Sequence, residues 1–542
     1  MKRTAALVAL AAVPVLFLGV FFVLPVSGMV GLGLVSDGRF APGEALEVLG
    51  RARVHRVLWF TVWAAALATA ITLLLGIPAA YVLHRLDFPG RTVLRAAFMV
   101  PFVLPTVVVG IAFKHLFAGA LAGLALDGTP VPIIAAMVFF NLAVVVRTVG
   151  TSWESLDPRP AEAAAALGAG GWRVFRTITL PALRTSIVSA ATVVFLFCST
   201  AFGIVLILGG LRYATIETEI YLLTTAHFDL PAAAALCLLQ LFVVTLLLYA
   251  AHRARAAAPV PVERRAPGAR RIRRTDLPAV LAAGVALVLI AFPVLDLVTG
   301  SLRHDGNWSL ANYRALDQVG QGSLVEASVI EALVNSLRTA FDATWLALLI
   351  GGLVSVIVTR RSHSPTERRV RAGLDGFFML PLGVSAVTLG FGFLITLDEP
   401  PVNFRDSPML VPIAQALVAL PLVVRTLAPV LAGIDDRQRQ AAASLGASPL
   451  RTVLTIDLAV ITRPLLAASG FAFAISLGEF GATSFLSRVD HPTLPVLIFR
   501  LLGTPGSHNY GMALAAAVVL AATTAAVMLL VERLRVPGVG GF

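Results

Sequence analysis

The chain has 542 residues, 58% of them hydrophobic and 13% charged, with a formal net charge of +12 and a mean hydropathy of +0.88. Soluble domains carry about 25% charged residues, so this composition leaves an integral membrane protein of many helices. No stretch has the alternation of about 10 residues expected of an outer-membrane barrel strand.

The N-terminus, MKRTAALVALAAVPVLFLGVFFVLPV, begins like a secretory signal, but its apolar part is too long and no clear A-x-A site follows. It reads as a retained first membrane helix. Apolar runs of about 20 residues, each able to cross roughly 30 Å of hydrocarbon, then recur down the chain. They cover 5–27, 57–83, 96–116, 131–150, 184–209 and 231–251, and after a polar interval 277–299, 339–359, 373–396, 408–430, 464–486 and 511–531. The expected fold is all-α, with about twelve transmembrane helices in two groups of six. The chain divides into a first half 1–251, a linker 252–276 and a second half 277–542.

The linker, HRARAAAPVPVERRAPGARRIRRTD, holds eight arginines against Glu263 and Asp276, with several prolines. It cannot bury a core and reads as flexible and solvated. Its charge places it in the cytoplasm. Counting spans outward puts Lys2, Arg3, the stretch 84–91, the stretch 360–371, Arg533 and Arg535 on the same side. Arg39, Arg51, Arg53 and Arg56, in the loop 28–56, go against this charge rule. Cys198 and Cys237 both fall in apolar runs and read as packing residues.

The halves repeat one another. VVRT at 145–148 recurs at 423–426, Asp157 at Asp435, Leu167-Gly168-Ala169 at Leu445-Gly446-Ala447, and Phe202-Gly203 at Phe480-Gly481, all 278 positions later. FMVP at 98–101 recurs as FMLP at 378–381, 280 positions later. Six spans precede the linker, an even number, so the repeats are parallel.

Each half carries a basic, alanine-rich loop, at 157–181 and 435–459, on the predicted cytoplasmic side. Asp157 is a good N-cap and Pro158 suits a first helical turn. Residues 163–167 favour helix, and Gly168 can end it in a left-handed conformation. Trp172, Phe175 and Ile178 then recur at three-residue spacing on a second short helix, which Pro181 is expected to close. The result is a helix–turn–helix elbow. Such a loop can simply pack on its own membrane domain. Two copies on one face, with Gly168 and Gly446 in register, favour a docking surface for a two-fold partner.

The pattern E-A-A, three residues, Gly, nine residues, I-x-L-P resembles the signature loop of inner-membrane permeases of binding-protein-dependent ABC importers. Glu162, Ala163, Ala164, Gly168, Ile178, Leu180 and Pro181 fit it throughout. Gln440, Ala441, Ala442, Gly446, Ile456 and Leu458 fit the second copy, which departs at Gln440 and at Ala459. The resemblance implies that each loop is a coupling helix seated in a groove of an ATP-hydrolysing subunit. It further implies two such subunits, an extracytoplasmic substrate-binding protein and a multi-pass place in the bacterial plasma membrane. ATP and Mg²⁺ would belong to the partner. Neither Lys2 nor Lys114 ends a G-x-x-x-x-G-K-[ST] loop, so this chain carries no P-loop of its own and is expected to bind no cofactor, metal or nucleic acid and to be no enzyme. Two copies in one chain resemble chiefly the thiamine and ferric-iron permeases. Residues 195–240 and 476–503 look most like the thiamine members, which implies thiamine or its phosphates as the small-molecule cargo and ferric iron as the alternative.

Among residues inside the spans, Glu479 is either a substrate contact or a hydrogen-bonded packing group. Asp342, four residues after Arg338, suggests an ion pair. Arg147 and Arg425 read as snorkelling anchors or as partners of the elbows. Asn141, Gln240 and Gln415 suit interhelical hydrogen bonds. An ion-coupled carrier would want paired intramembrane acids in both halves, yet Glu479 corresponds to Ala201.

Overall fold

A computed structural model describes residues 11–36, 38–210, 212–256, 270–322, 326–359, 365–397 and 404–534. In the first half, α1 (Ala11–Leu34) is followed by α2 (Ala52–Arg85), α3 (Arg91–Val103), α4 (Thr106–Ala118) and α5 (Pro130–Glu154). The elbow comprises α6 (Arg159–Ala166) and α7 (Gly171–Val174), which leads into α8 (Leu180–Ser199). Two short helices, α9 (Gly203–Leu208) and α10 (Ile216–Thr225), precede α11 (Leu230–Ala256). The second half repeats the order: α12 (Leu277–Ser301), α13 (Val329–Thr359), α14 (Pro365–Met379), α15 (Ala386–Thr396) and α16 (Leu410–Ala432). Then come its elbow helices α17 (Asp436–Ser444) and α18 (Pro449–Thr452), followed by α19 (Leu458–Gly478), α20 (Thr483–Leu486), α21 (Leu494–Gly503) and α22 (Ser507–Leu534).

Ten helices are long and apolar enough to cross a membrane, among the described residues, each lying on one of the twelve expected runs, although the fifth and eleventh runs also take in the short helices α9 and α20. The third and ninth runs are broken instead. The axes of α3 and α4 meet at 103°, because Leu104 precedes Pro105 and is extended at φ −71°, ψ 134°, as a residue before proline prefers. In the ninth run a 3₁₀ turn, Leu380–Gly383, separates α14 from α15. Ser385 then restarts the helix by accepting a 3.0 Å hydrogen bond from the Thr388 amide. The same break is thus made by a proline in one half and by a serine cap in the other.

Packing divides the chain into two units that cut across the sequence halves. One unit takes the described residues of 1–42, 224–238 and 311–542, and the other those of 43–223 and 239–310. Within the first, α1 lies against α15. Gly28 allows this approach, since a Cβ there would stand 2.1 Å from Thr396 Cγ2. Phe21 of α1 also meets Phe404 edge-on at 5.5 Å, and Leu18 and Phe22 join a core with Phe393, Leu397 and Leu417. Within the second unit, α12 packs on α2 and α4, and Phe113 of α4 meets Phe139 of α5 at 5.5 Å. Each unit therefore contains the opening helix of the other sequence half.

The expectation of a wholly flexible linker changes for residues 252–256, which continue α11, and for 270–276, while 257–269 lie outside the described residues. A short strand β1 (Leu86–Asp87) pairs in parallel with β2 (Arg270–Arg271). Arg270 grips both Asp276 carboxylate oxygens, at 2.9 and 2.7 Å, and the Tyr81 hydroxyl donates to the same group at 2.8 Å. Hydrogen bonding to Asp276 raises the Arg270 pKa above its usual range. Opposite charges and a buried acceptor tie the end of this segment to the first half's own loop.

Candidate functional site

In the first elbow the Asp157 carboxylate accepts a 3.0 Å hydrogen bond from the Arg159 amide at the start of α6. The alanines of α6 are strong helix formers that add no side-chain entropy loss. The helix ends at Gly168, whose φ is +82°. The Gly168 amide donates to Ala165 O at 2.9 Å and the Ala169 amide to Ala164 O at 3.0 Å, the paired bonds of a Schellman stop. A Cβ at Gly168 would meet nothing within 4 Å, so the positive φ alone demands glycine there.

The second elbow has the same backbone. Asp435 accepts from the Arg437 amide at 3.0 Å, and Gly446 takes φ +81°. Gly446 N–H donates to Ala443 O and Ala447 N–H to Ala442 O, both at 3.0 Å. The departures at Gln440 and Ala459 leave this geometry intact, because Gln440 is exposed and adds nothing to the bonds that shape the turn.

Pro181 does not close the second arm as expected. The arm continues through a π-turn, Phe175–Thr179, directly into α8, giving one helix from Gly171 to Ser199. Pro181 lies inside that continuous helix, where it has no amide to donate to the preceding turn. A π-turn occurs 278 positions later too, Val453–Asp457, although Ala459 stands where the proline was. What the two turns share is a threonine: Thr177 Oγ1 donates to Arg173 O and Thr455 Oγ1 to Arg451 O, each at 2.7 Å.

No residue of α6 is buried. Glu162, Ala163, Gly168, Leu180 and Pro181 are exposed, with Ala164 and Ile178 half-buried. Gln440, Ala441, Gly446 and Leu458 are exposed in the second copy, with Ala442 and Ile456 half-buried. Beside each glycine stands a leucine that the sequence reading used only as a register mark. Leu167 is 90% exposed and Leu445 89%. The two elbows thus present a matched exposed leucine beside each positive-φ glycine.

The elbows are fastened differently. Phe175 stacks between Trp153 at 6.1 Å and Trp172 at 5.6 Å, and Ser186 donates to Ser152 at 2.7 Å. The second elbow has a buried ion pair instead, Arg439 Nε to Asp457 Oδ1 at 2.9 Å. Arg439 also reaches Leu431 O at 3.3 Å.

Glu479 ends α19 in an extended conformation and caps α20. Its Oε1 accepts from the Ala482 amide at 2.8 Å and its Oε2 from the Thr483 amide at 3.0 Å. Both oxygens are therefore engaged by backbone donors. Asn141 donates to Met137 O at 2.9 Å and lies 3.4 Å from Cys198 Sγ. Gln240 donates to Glu217 at 3.0 Å, whereas the buried Gln415 Oε1 has no hydrogen-bond partner among the described residues. Arg338 and Asp342 form no ion pair among the described residues, so spacing alone does not join them.

Sequence reasoning passed over Glu217 and Glu219, which are fully buried in α10. Glu219 forms a two-pronged pair with Arg53, Nη2 to Oε2 at 2.8 Å. The available signal was Arg53 itself, an arginine on the wrong side of the charge rule. No cluster of metal-ligating side chains occurs among the described residues.

Residues 72–257, which include the first elbow, match the family described as "Binding-protein-dependent transport system inner membrane component". The chain is 28% identical over 498 residues to "Thiamine transport system permease protein ThiP" of Brucella abortus (strain 2308), covering 88% of this chain and 87% of that protein. The protein of the same description from Escherichia coli (strain K12) is 28% identical over 470 residues, 84% of each chain. A "Probable ABC transporter permease protein y4fN" of Sinorhizobium fredii is 26% identical over 547 residues, covering 95% of this chain and 94% of that one.

Proposed function

We propose that this chain, an ABC importer permease in fused two-half form in the bacterial inner membrane, carries thiamine or its phosphates inward. ATP hydrolysis occurs on separate subunits seated against the two elbows, and an extracytoplasmic binding protein delivers the cargo. The observation that carries the cargo assignment is the likeness to thiamine permeases across 88% of the chain, both halves included.

The elbow geometry supports the coupling role. A Schellman stop fixes the angle between the two arms, and the second arm is continuous with a membrane helix. From Gly171 to Ser199 there are 29 residues, roughly 43 Å of helix at the usual rise. A displacement imposed on Trp172 reaches the far end of that rod without an intervening loop, and one imposed on Leu167 passes only through the Gly168–Gly170 turn. There the chain turns at Phe202-Gly203, and in the second half at Glu479, the cap of α20. A rigid lever between an exposed docking turn and buried short helices is what an importer driven from one face requires.

Growth tests the cargo. In a strain unable to make thiamine, deleting this permease raises the thiamine concentration needed for growth. Unchanged growth on limiting thiamine, with ferric-iron uptake reduced instead, assigns the chain to iron.

A further inference from the structure

Two of the arginines that defy the charge rule, Arg53 and Arg56, stand in the first turns of α2. They line one cavity of about 450 Å³ together with Arg212 and the aromatic residues Trp59, Phe60 and Tyr213. That volume is within the range of about 300–1,000 Å³ typical of small-molecule sites. The cavity lies at the end of α2 opposite the elbow, since His84 at the other end lies 3.0 Å from Glu154, which closes α5. From Arg53 to His84 the helix rises roughly 47 Å.

The walls are fixed. The Ile216 amide donates to Thr61 Oγ1 at 3.1 Å, and Arg53 is locked to Glu219. Phe60 and Tyr213 lie 5.3 Å apart, and the Arg212 guanidinium sits 5.5 Å from the Tyr213 ring centroid. Glu219 is paired with Arg53, and among the described residues the lining holds Arg56 and Arg212 but no carboxylate, which makes the cavity basic. The amides and dipole at the start of α2 add to the same field.

We infer that this cavity binds a phosphate group. Guanidinium forks match phosphate oxygens in paired hydrogen bonds. The aromatic wall suits whatever apolar or aromatic portion the phosphate carries. Trp59, 72% exposed at the helix end, marks the level at which amphipathic rings meet lipid headgroups. Two sources share this chemistry, the headgroup of an anionic phospholipid and a soluble phosphate ester. The inference is independent of the cargo proposed above.

The full chain in phosphatidylcholine nanodiscs, with and without phosphatidylglycerol, separates the sources. One measurement quantifies phosphatidylglycerol retained per protein after exchange, and the other measures ³²P-pyrophosphate binding in pure phosphatidylcholine. Phosphatidylglycerol retention without pyrophosphate binding identifies a lipid site, and pyrophosphate binding identifies a soluble ligand. In either case Arg56→Ala with Arg212→Ala lowers binding by about tenfold or more, as expected for lost charge-assisted bonds. Arg56→Lys, which keeps the charge but not the fork, lowers binding less than Arg56→Ala, and Arg369→Ala, on α14, leaves it unchanged. Binding of neither probe overturns the proposal, as does binding that the double variant leaves intact. A site that takes only an acidic protein overturns it as well.

Discussion

Arg439 Nε lies 2.9 Å from Asp457 Oδ1, with the two side chains 11% and 1% exposed. At the places 278 positions earlier stand Ala161 and Thr179. Two elbows with one backbone are therefore held to the membrane domain by different chemistry. Removing one partner of a buried pair costs about 3–5 kcal/mol, whereas replacing both by apolar groups is often neutral. Asp457→Ala should speed amide hydrogen exchange across 436–457, and Arg439→Met with Asp457→Leu should return it close to wild type. Wild-type exchange in the single variant would show that the pair holds nothing.

The first elbow should respond to a different change. Phe175→Ala removes two ring contacts, each worth about 0.5–1.5 kcal/mol beyond simple burial. Exchange should rise across 159–179 and stay unchanged across 436–457, and Trp172 emission should shift to the red. The opposite pattern would mean that the stack is incidental.

Both elbow glycines adopt the same φ, +82° and +81°, and neither has a neighbour that a Cβ would strike. Substitution therefore acts through backbone strain alone, about 1–2 kcal/mol for an ordinary L-residue. Gly168→Val and Gly446→Val should each reduce uptake while the protein still inserts. Gly168→Asn and Gly446→Asn should be milder, since asparagine tolerates this region. Valine and asparagine behaving alike would point to something other than conformation.

Local signals in the sequence were informative where the physics is local. Asp157, the alanine run and Gly168 specify a capped helix and its stop within a dozen residues, and the repeat carries that reading to Asp435 and Gly446. Long-range pairing was not legible. Arg53 finds Glu219 across 166 positions, and nothing in either neighbourhood announces the other. The breaks at Pro105 and Ser385 hid inside apolar runs, because composition does not distinguish a straight span from a bent one. Packing of α1 with the second half and of α12 with the first was equally hidden. A hydrophobic helix buries the same surface against either neighbour, and only tertiary fit chooses between them.

Leu167 and Leu445 should carry contact with the ATPase rather than stability. Each is nearly fully exposed, so Leu167→Asp removes no packing within the chain, yet it places a charge on the proposed docking surface, and interface cores are depleted in charged residues. The ATPase should co-purify less with either variant and least with both, at unchanged thermal stability of the permease. Full recovery of ATPase with the double variant would place the docking surface elsewhere.

The orientation of the whole chain can be read at two exposed residues. Ala166 ends α6 and Asn307 follows α12, and the arginine distribution assigns them to opposite sides of the membrane. Cys198 and Cys237 are buried and small, so replacing both with alanine gives a background without reactive thiols. In that background Asn307→Cys should react with an impermeant thiol reagent in intact cells. Ala166→Cys should react only after the membrane is opened. Labelling of Ala166→Cys in intact cells would invert the topology and place both elbows out of reach of any ATP-hydrolysing partner.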